Sequence, residues 1–134
     1  MFDKIEKYSS TLEGSSIKFD GNEYKIKLLG LYQAHNCATV LTAVRILREN
    51  GFDIPEEALK KGLSDARWSA RFEIISHDPL VIYDGAHNPQ GIAGAVENIR
   101  HYLSPLGKNG KIVILMGVMA DKDHRKMITM LSPY

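Results

Sequence analysis

Residues 80–103 change their hydrophobic period part-way along, and this limits the folds open to the chain. LVIY (80–83) is a short apolar run of β-type residues, and DGAHNP (84–89) breaks it abruptly. From 89 to 103 the apolar positions Ile92, Val96, Ile99 and Leu103 recur at helical spacing. Asn88 and Pro89 suit the N-cap and the first position of that helix. The pattern then repeats. IVILMGV (112–118) is long enough and apolar enough for a buried central strand, and after ADKD a last helical piece is expected at 125–131. Strand, helix, strand, helix in this order predicts a right-handed crossover and a parallel pair, hence part of an α/β sheet. Such a sheet would leave its last strand with an open edge or an uncovered face, as expected for a piece of a larger protein.

The earlier half has its own organisation. In residues 17–29, Ile17 and Phe19 alternate on one side of Asp20-Gly21 and Tyr24, Ile26 and Leu28 on the other, which predicts a hairpin. From Ala34 the spacing of Cys37, Val40, Leu41, Val44, Ile46 and Leu47 predicts a helix that Asn50-Gly51 terminates. Asp53 is expected to cap a short helix running to about Leu63, with Glu56 and Glu57 at its positive end. The polar stretch SDARWSA (64–70) divides the chain into 1–64 and 65–134. Beyond it, 72–76 and 80–83 are expected to pair antiparallel through the His77-Asp78-Pro79 turn.

With 134 residues, 44% hydrophobic and 25% charged, the chain suits one domain with a modest core. Seventeen Lys and Arg against sixteen Asp and Glu give a net charge of +1, so no nucleic acid and no membrane surface is indicated as partner. Any anion must be recognised locally. Cys37 is the only cysteine, which excludes an internal disulfide and a multi-cysteine zinc site and suits a reducing compartment. No segment reads as a secretory signal or approaches the roughly 20 apolar residues of a membrane span, and a cytoplasmic protein is expected. His77, His87, His101 and His124 lack metal-ligand spacing, and no metal site is predicted.

Ligands in open α/β sheets bind beyond the carboxyl ends of the strands, where DGAHNP and MADKD (119–123) would lie. Asp84 can accept from hydroxyls or pair with a cation, His87 can donate to an anion, and the helix start after Asn88 can receive a carboxylate or phosphate. Turn chemistry alone also accounts for Asp, Gly, Asn and Pro; His87 is the residue it explains least. Arg71 can bind phosphate bidentately or simply stack as a surface residue on Trp68. Asn36 suits recognition of a base as readily as local capping. Lys122, between Asp121 and Asp123, fits a solvated charge cluster, and Cys37 a small apolar filler. GKNGK (107–111) lacks the glycine and hydroxyl positions of a Walker loop, and no GxGxxG follows a strand.

Four segments occur together in a telling order: GLYQAHN (30–36), RWSARFE (67–73), DGAHNP (84–89) and GVMADKD (117–123). In sequence and separation they resemble folylpolyglutamate synthase and dihydrofolate synthase of the Mur ligase superfamily, over about the last hundred residues. The resemblance implies an α/β fold: a partial Rossmann-like C-terminal ligase domain, its sheet mainly parallel, preceded by a hairpin and helix from the end of an ATPase domain. It implies an ATP-dependent amide ligase that joins glutamate to a folate or dihydropteroate through an acyl phosphate, with ATP and magnesium as cofactors. By the same resemblance Asn36, Arg71 and Asp84 contact the nucleotide at adenine, phosphates and ribose respectively. His87 is implied to be catalytic and, with Asn88 and Lys122, to position substrate.

Tyr32 stands where many relatives have His, and His35 falls at a variable position, so His35 is assigned no role. The phosphate loop and magnesium ligands of the family belong to an N-terminal ATPase domain that nothing before Gly30 supplies. The expectation is therefore a ligase fragment that is inactive alone. A non-catalytic nucleotide-binding or protein-interaction module is the alternative. A hydrolase using Asp84 and His87 lacks a serine or cysteine nucleophile placed beside them.

Overall fold

The computed structural model describes residues 4–103 and 111–134, and the chain divides into two compact units, Met1–Ser69 and Ala70–Tyr134. The loop read at 104–110, which includes most of GKNGK, lies outside the described residues.

In the first unit three antiparallel strands follow one another in space as in sequence: β1 (Ile5–Thr11), β2 (Gly14–Phe19) and β3 (Asn22–Ile26). The β2–β3 hairpin is the expected one. Phe19 opposes Asn22, and Asp20 and Gly21 have φ of 50° and 79°, the positive pair that lets a two-residue turn follow the twist of its strands. Ile17 faces Tyr24 directly, and alternation puts Ile17, Phe19, Tyr24 and Ile26 on one buried side. The sequence reading missed β1. Its two large apolar residues, Ile5 and Tyr8, are three apart, which breaks strict alternation. A register shift between Ile5 and Lys7 brings both against the same core.

Two helices complete that core: α1 (Gln33–Glu49) and α2 (Glu56–Asp65). From α1 come Ala34, Cys37, Ala38 and Leu41, and from α2 Leu59 and Leu63. Small side chains at most of the α1 contacts let its backbone lie close to the sheet. Val40, Ile46 and Leu47, expected on the buried face, are instead 44%, 49% and 40% exposed. The helix ends as expected at Asn50-Gly51, where the Gly51 N–H donates to the Arg48 carbonyl at 3.0 Å. Asp53 does not cap α2: Pro55 holds the N-cap position and no side chain caps it. The connection is fixed by Arg48, whose Nε donates to the Ile54 carbonyl (2.8 Å) and whose Nη1 pairs with Glu56 (3.1 Å), so helical geometry starts two residues later than an Asp53 cap requires.

In the second unit β4 (Glu73–His77) and β5 (Leu80–Tyr83) form the expected antiparallel pair, with Glu73 opposite Tyr83 and His77 opposite Leu80. α3 (Pro89–Asn98) runs into a π-helical turn at Ile99–Leu103, and α4 (His124–Leu131) packs with it around Ile92, Val96 and Met127. The class is α/β, as expected. The parallel pair is not found among the described residues: the two sheets pair antiparallel only, and 112–118 joins no ladder. Met116 and Val118 pack against the α3–α4 cluster, while Val113 and Leu115 are 91% and 99% exposed. Apolar composition makes that run a good strand, but a strand exists only where a neighbour takes its backbone hydrogen bonds. Among the described residues no helix is long and apolar enough to cross a membrane.

Burial pushes the Cys37 thiol up to about 11, and burial followed by the Glu56 carboxylate pushes Tyr24 up to about 12. Both groups keep their protons in the folded state at pH values where the unfolded chain has lost them, so folding is favoured fully below the unfolded values and less as pH rises. The urea midpoint should hold steady through neutral pH and fall from about pH 9 toward 12, across the ordinary and raised values of the two groups. Cys37→Ala should remove the early part of that fall; a midpoint that rises with alkali would contradict the assignment.

Candidate functional site

The second unit opens on a bend that is unusual for its residue types. Ala70 and Phe72, either side of Arg71, have φ of 59° and 48°, in the left-handed region that residues with a Cβ avoid at about 1 kcal/mol each or more. Four hydrogen bonds hold the bend. The Ala70 N–H donates to Glu73 Oε2 (2.8 Å) and the Phe72 N–H to Asp84 Oδ2 (3.0 Å). The Gly85 N–H donates to the Ala70 carbonyl (2.8 Å), and the other Asp84 oxygen accepts from the Ala86 N–H (2.8 Å). Phe72 is buried with its ring 5.2 Å from that of Tyr102. Arg71 itself stands exposed at the top of the bend.

RWSARFE and DGAHNP are thus bonded to one another. Arg71 lies in the bend before β4. Asp84 is half-buried, with both carboxylate oxygens already accepting backbone amides. His87 is exposed, and its Nδ1 lies 2.9 Å from the Gly85 carbonyl, which fixes the ring over its own turn. Asn88 caps α3 as expected: its Oδ1 accepts from the Gly91 N–H at 2.8 Å, and Pro89 follows in the first turn. Lys122 is half-buried and pairs with Asp121 at 2.9 Å, while Asp123 caps α4 by accepting from the Lys126 N–H at 3.1 Å. Asn36 belongs to the first unit, exposed on the opening turn of α1, where its Nδ2 donates to the buried Gln33 at 2.9 Å. The structure therefore joins Arg71, Asp84, His87 and Asn88 through one loop pair. Reading for individual chemistry missed the part Glu73 plays in holding this bend, although it is the last letter of a quoted motif. Among the described residues no group of three or more His, Cys, Asp or Glu gathers to hold a metal.

Residues 70–133 match the family described as Mur ligase, glutamate ligase domain. The match begins at Ala70, the first residue of the second unit. The likeness to folylpolyglutamate and dihydrofolate synthases expected from the four motifs is borne out. The chain is 38% identical over 95 residues to the dihydrofolate synthase/folylpolyglutamate synthase of Escherichia coli, covering 71% of this chain and 21% of that protein. It is 30% identical over 112 residues to the folylpolyglutamate synthase of Lacticaseibacillus casei, covering 83% of this chain and 25% of that protein. The chain thus spans about a quarter of these relatives. Among solved structures, the FPGS–AMPPCP–folate complex superposes with a TM-score of 0.78 at 27% identity over 96% of this chain and 32% of its own. E. coli FolC in complex with DHPP and ADP gives 0.67 at 30% identity, over 94% and 29%.

A Cβ added at Gly85 would sit 3.1 Å from the Ala70 carbonyl oxygen, a backbone atom already bonded to this residue. Gly85→Ala should therefore pry the two segments apart and destabilise the chain by about 1–3 kcal/mol, read from urea unfolding. Asn88→Ala, which removes only the cap of α3, should cost about 1 kcal/mol and leave Phe72 packing unchanged by NMR.

Proposed function

We propose that this chain supplies part of the nucleotide and glutamate site of a cytoplasmic, ATP-dependent ligase that adds glutamate to a folate or to dihydropteroate. The observation that carries the reading is the bonded pair of motifs: RWSARFE and DGAHNP, both shared with the synthases in the resemblance, are hydrogen-bonded to one another, with Arg71 and His87 among their exposed residues. In the proposed reaction a substrate carboxylate oxygen attacks the γ-phosphorus of ATP, the bond to the β-phosphate oxygen breaks, and ADP leaves. The glutamate amine then attacks the acyl carbon, loses a proton, and phosphate departs. Such a sequence gathers several anions and must exclude water.

In this chain Arg71 offers a planar fork to the phosphates and Asn36 an amide to the adenine. Asp84 keeps lone pairs beyond the two used by amides, and these are available to ribose hydroxyls. His87 is the group assigned to orient substrate near the transferring phosphoryl group. Asn88 spends its side-chain oxygen on the cap, so its contribution to substrate is the open start of α3, which favours a carboxylate. Lys122, paired with Asp121, is assigned to substrate by the resemblance alone. Magnesium balances phosphate charge in such reactions, and by the resemblance its ligands are assigned to an ATPase half outside these residues.

The test is calorimetry with ADP and ATP, followed by single-turnover glutamate addition to a reduced folate, with the chain alone and with an ATPase-half polypeptide added. The expected result is nucleotide binding weakened at least tenfold by Arg71→Ala, as befits loss of a charged phosphate partner, with turnover only in the mixture. Robust turnover by the lone chain would overturn the division of labour. Binding without turnover in any mixture would favour a non-catalytic nucleotide-binding or interaction module.

A further inference from the structure

The residues flanking Arg71 are held in an arrangement that residues with a Cβ avoid. Ala70 and Phe72 carry positive φ on either side of it, and neither is a glycine. Every backbone polar group used to hold them is taken by a side chain or amide of the same two motifs: Ala70 N–H by Glu73, Ala70 C=O by the Gly85 N–H, and Phe72 N–H by Asp84. The two carboxylates therefore bracket Arg71 along the chain, each accepting an amide hydrogen from one of its neighbours. Charge-assisted acceptance by a carboxylate is stronger than a neutral hydrogen bond and suits the task of holding an unfavourable backbone conformation. Phe72, buried against Tyr102, anchors the bend to the interior, while Arg71 beside it is an exposed residue.

We infer that Glu73 and Asp84 are positioning residues that clamp the 70–72 bend and so fix where Arg71 is presented. Glu73 is thereby given a function of its own, and Asp84 a second one that precedes any contact with a nucleotide. The benefit is entropic: a long, flexible arginine on a fixed bend loses less freedom when it meets an anion than one on a mobile loop. The clamp is a property of the unliganded chain. Its consequence for phosphate recognition rests on the function proposed above.

The experiment has two arms on the full 134-residue chain. Without ligand, nitrogen-15 relaxation of the Ala70 and Phe72 amides and of Arg71 Nε is compared in wild type, Glu73→Ala and Glu73→Gln, with thermal unfolding recorded for each. Gln keeps an oxygen that can accept from the Ala70 N–H, and Ala does not. The expected result is loss of order at Ala70 and Arg71 Nε in Glu73→Ala, largely restored in Glu73→Gln, with the melting transition still cooperative in both. Unchanged order in Glu73→Ala, or equal loss in the two variants, would overturn the inference. Asp84→Asn, which turns one of the two accepting oxygens into a donor, should loosen the Phe72 or Ala86 amide; if neither changes, the Asp84 half is wrong. In the second arm ADP is titrated calorimetrically, and Glu73→Ala should weaken binding about tenfold while Glu73→Gln stays near wild type. No binding by wild type would count against the proposed function and leave the clamp judged by the relaxation data alone. Wild-type binding that Glu73→Ala leaves unaltered would overturn the link between clamp and recognition.

Discussion

The Asp84 carboxylate is the hinge of the second unit's architecture. One oxygen holds the bend before β4 and the other holds the loop that leads into α3, so a single side chain sets the spacing between the two motifs. Remove it and the Phe72 and Ala86 amides lose an ionised acceptor, a loss that costs more than a neutral hydrogen bond would. Gly85 follows from the same constraint. With Asp84 joining the segments, the next residue approaches the Ala70 carbonyl closely enough to bond it, and a Cβ there would crowd that oxygen at 3.1 Å.

The first unit solves a different problem, that of closing a helix pair onto a small sheet. Burial of Ile17, Phe19, Tyr24 and Ile26 gives one apolar side, and Ala34, Cys37 and Ala38 allow α1 to approach it. Each large side chain buried in such a core contributes about 1.5–3 kcal/mol, so the core depends on all three strands rather than on the β2–β3 hairpin alone. The connection to α2 then depends on Arg48, which donates to the Ile54 carbonyl and pairs with Glu56, while no side chain caps the helix.

Local signals were legible wherever the chemistry was local. The Asp20-Gly21 turn, the Asn50-Gly51 stop, the Asn88-Pro89 helix start and the antiparallel β4–β5 pair each depend on a few adjacent residues, and each lies where the sequence places it. β1 was missed because its register shift erases the period by which strands are recognised. The parallel pair is not found among the described residues: pairing is a property of two segments, and the residues at 112–118 state only that one of them is apolar. In the candidate site, the identities of Asp84 and Asn88 were legible but their division of labour was not. A carboxylate in a turn can bond a ligand or a backbone, and only distances show that both Asp84 oxygens are already engaged.

The near-neutral charge of the chain gives these local devices their weight. At a net charge of +1 no long-range field concentrates anions, so recognition must come from geometry at short range. The second unit provides two such elements at one place in the fold, an arginine raised on a clamped bend and the open start of a capped helix. The two acids of these motifs, Glu73 and Asp84, each accept a backbone amide from a residue flanking Arg71. The strain at Ala70 and Phe72 is thus held by ionisable groups of the same two motifs, so the conformation of the bend and the placing of its arginine depend on one set of hydrogen bonds.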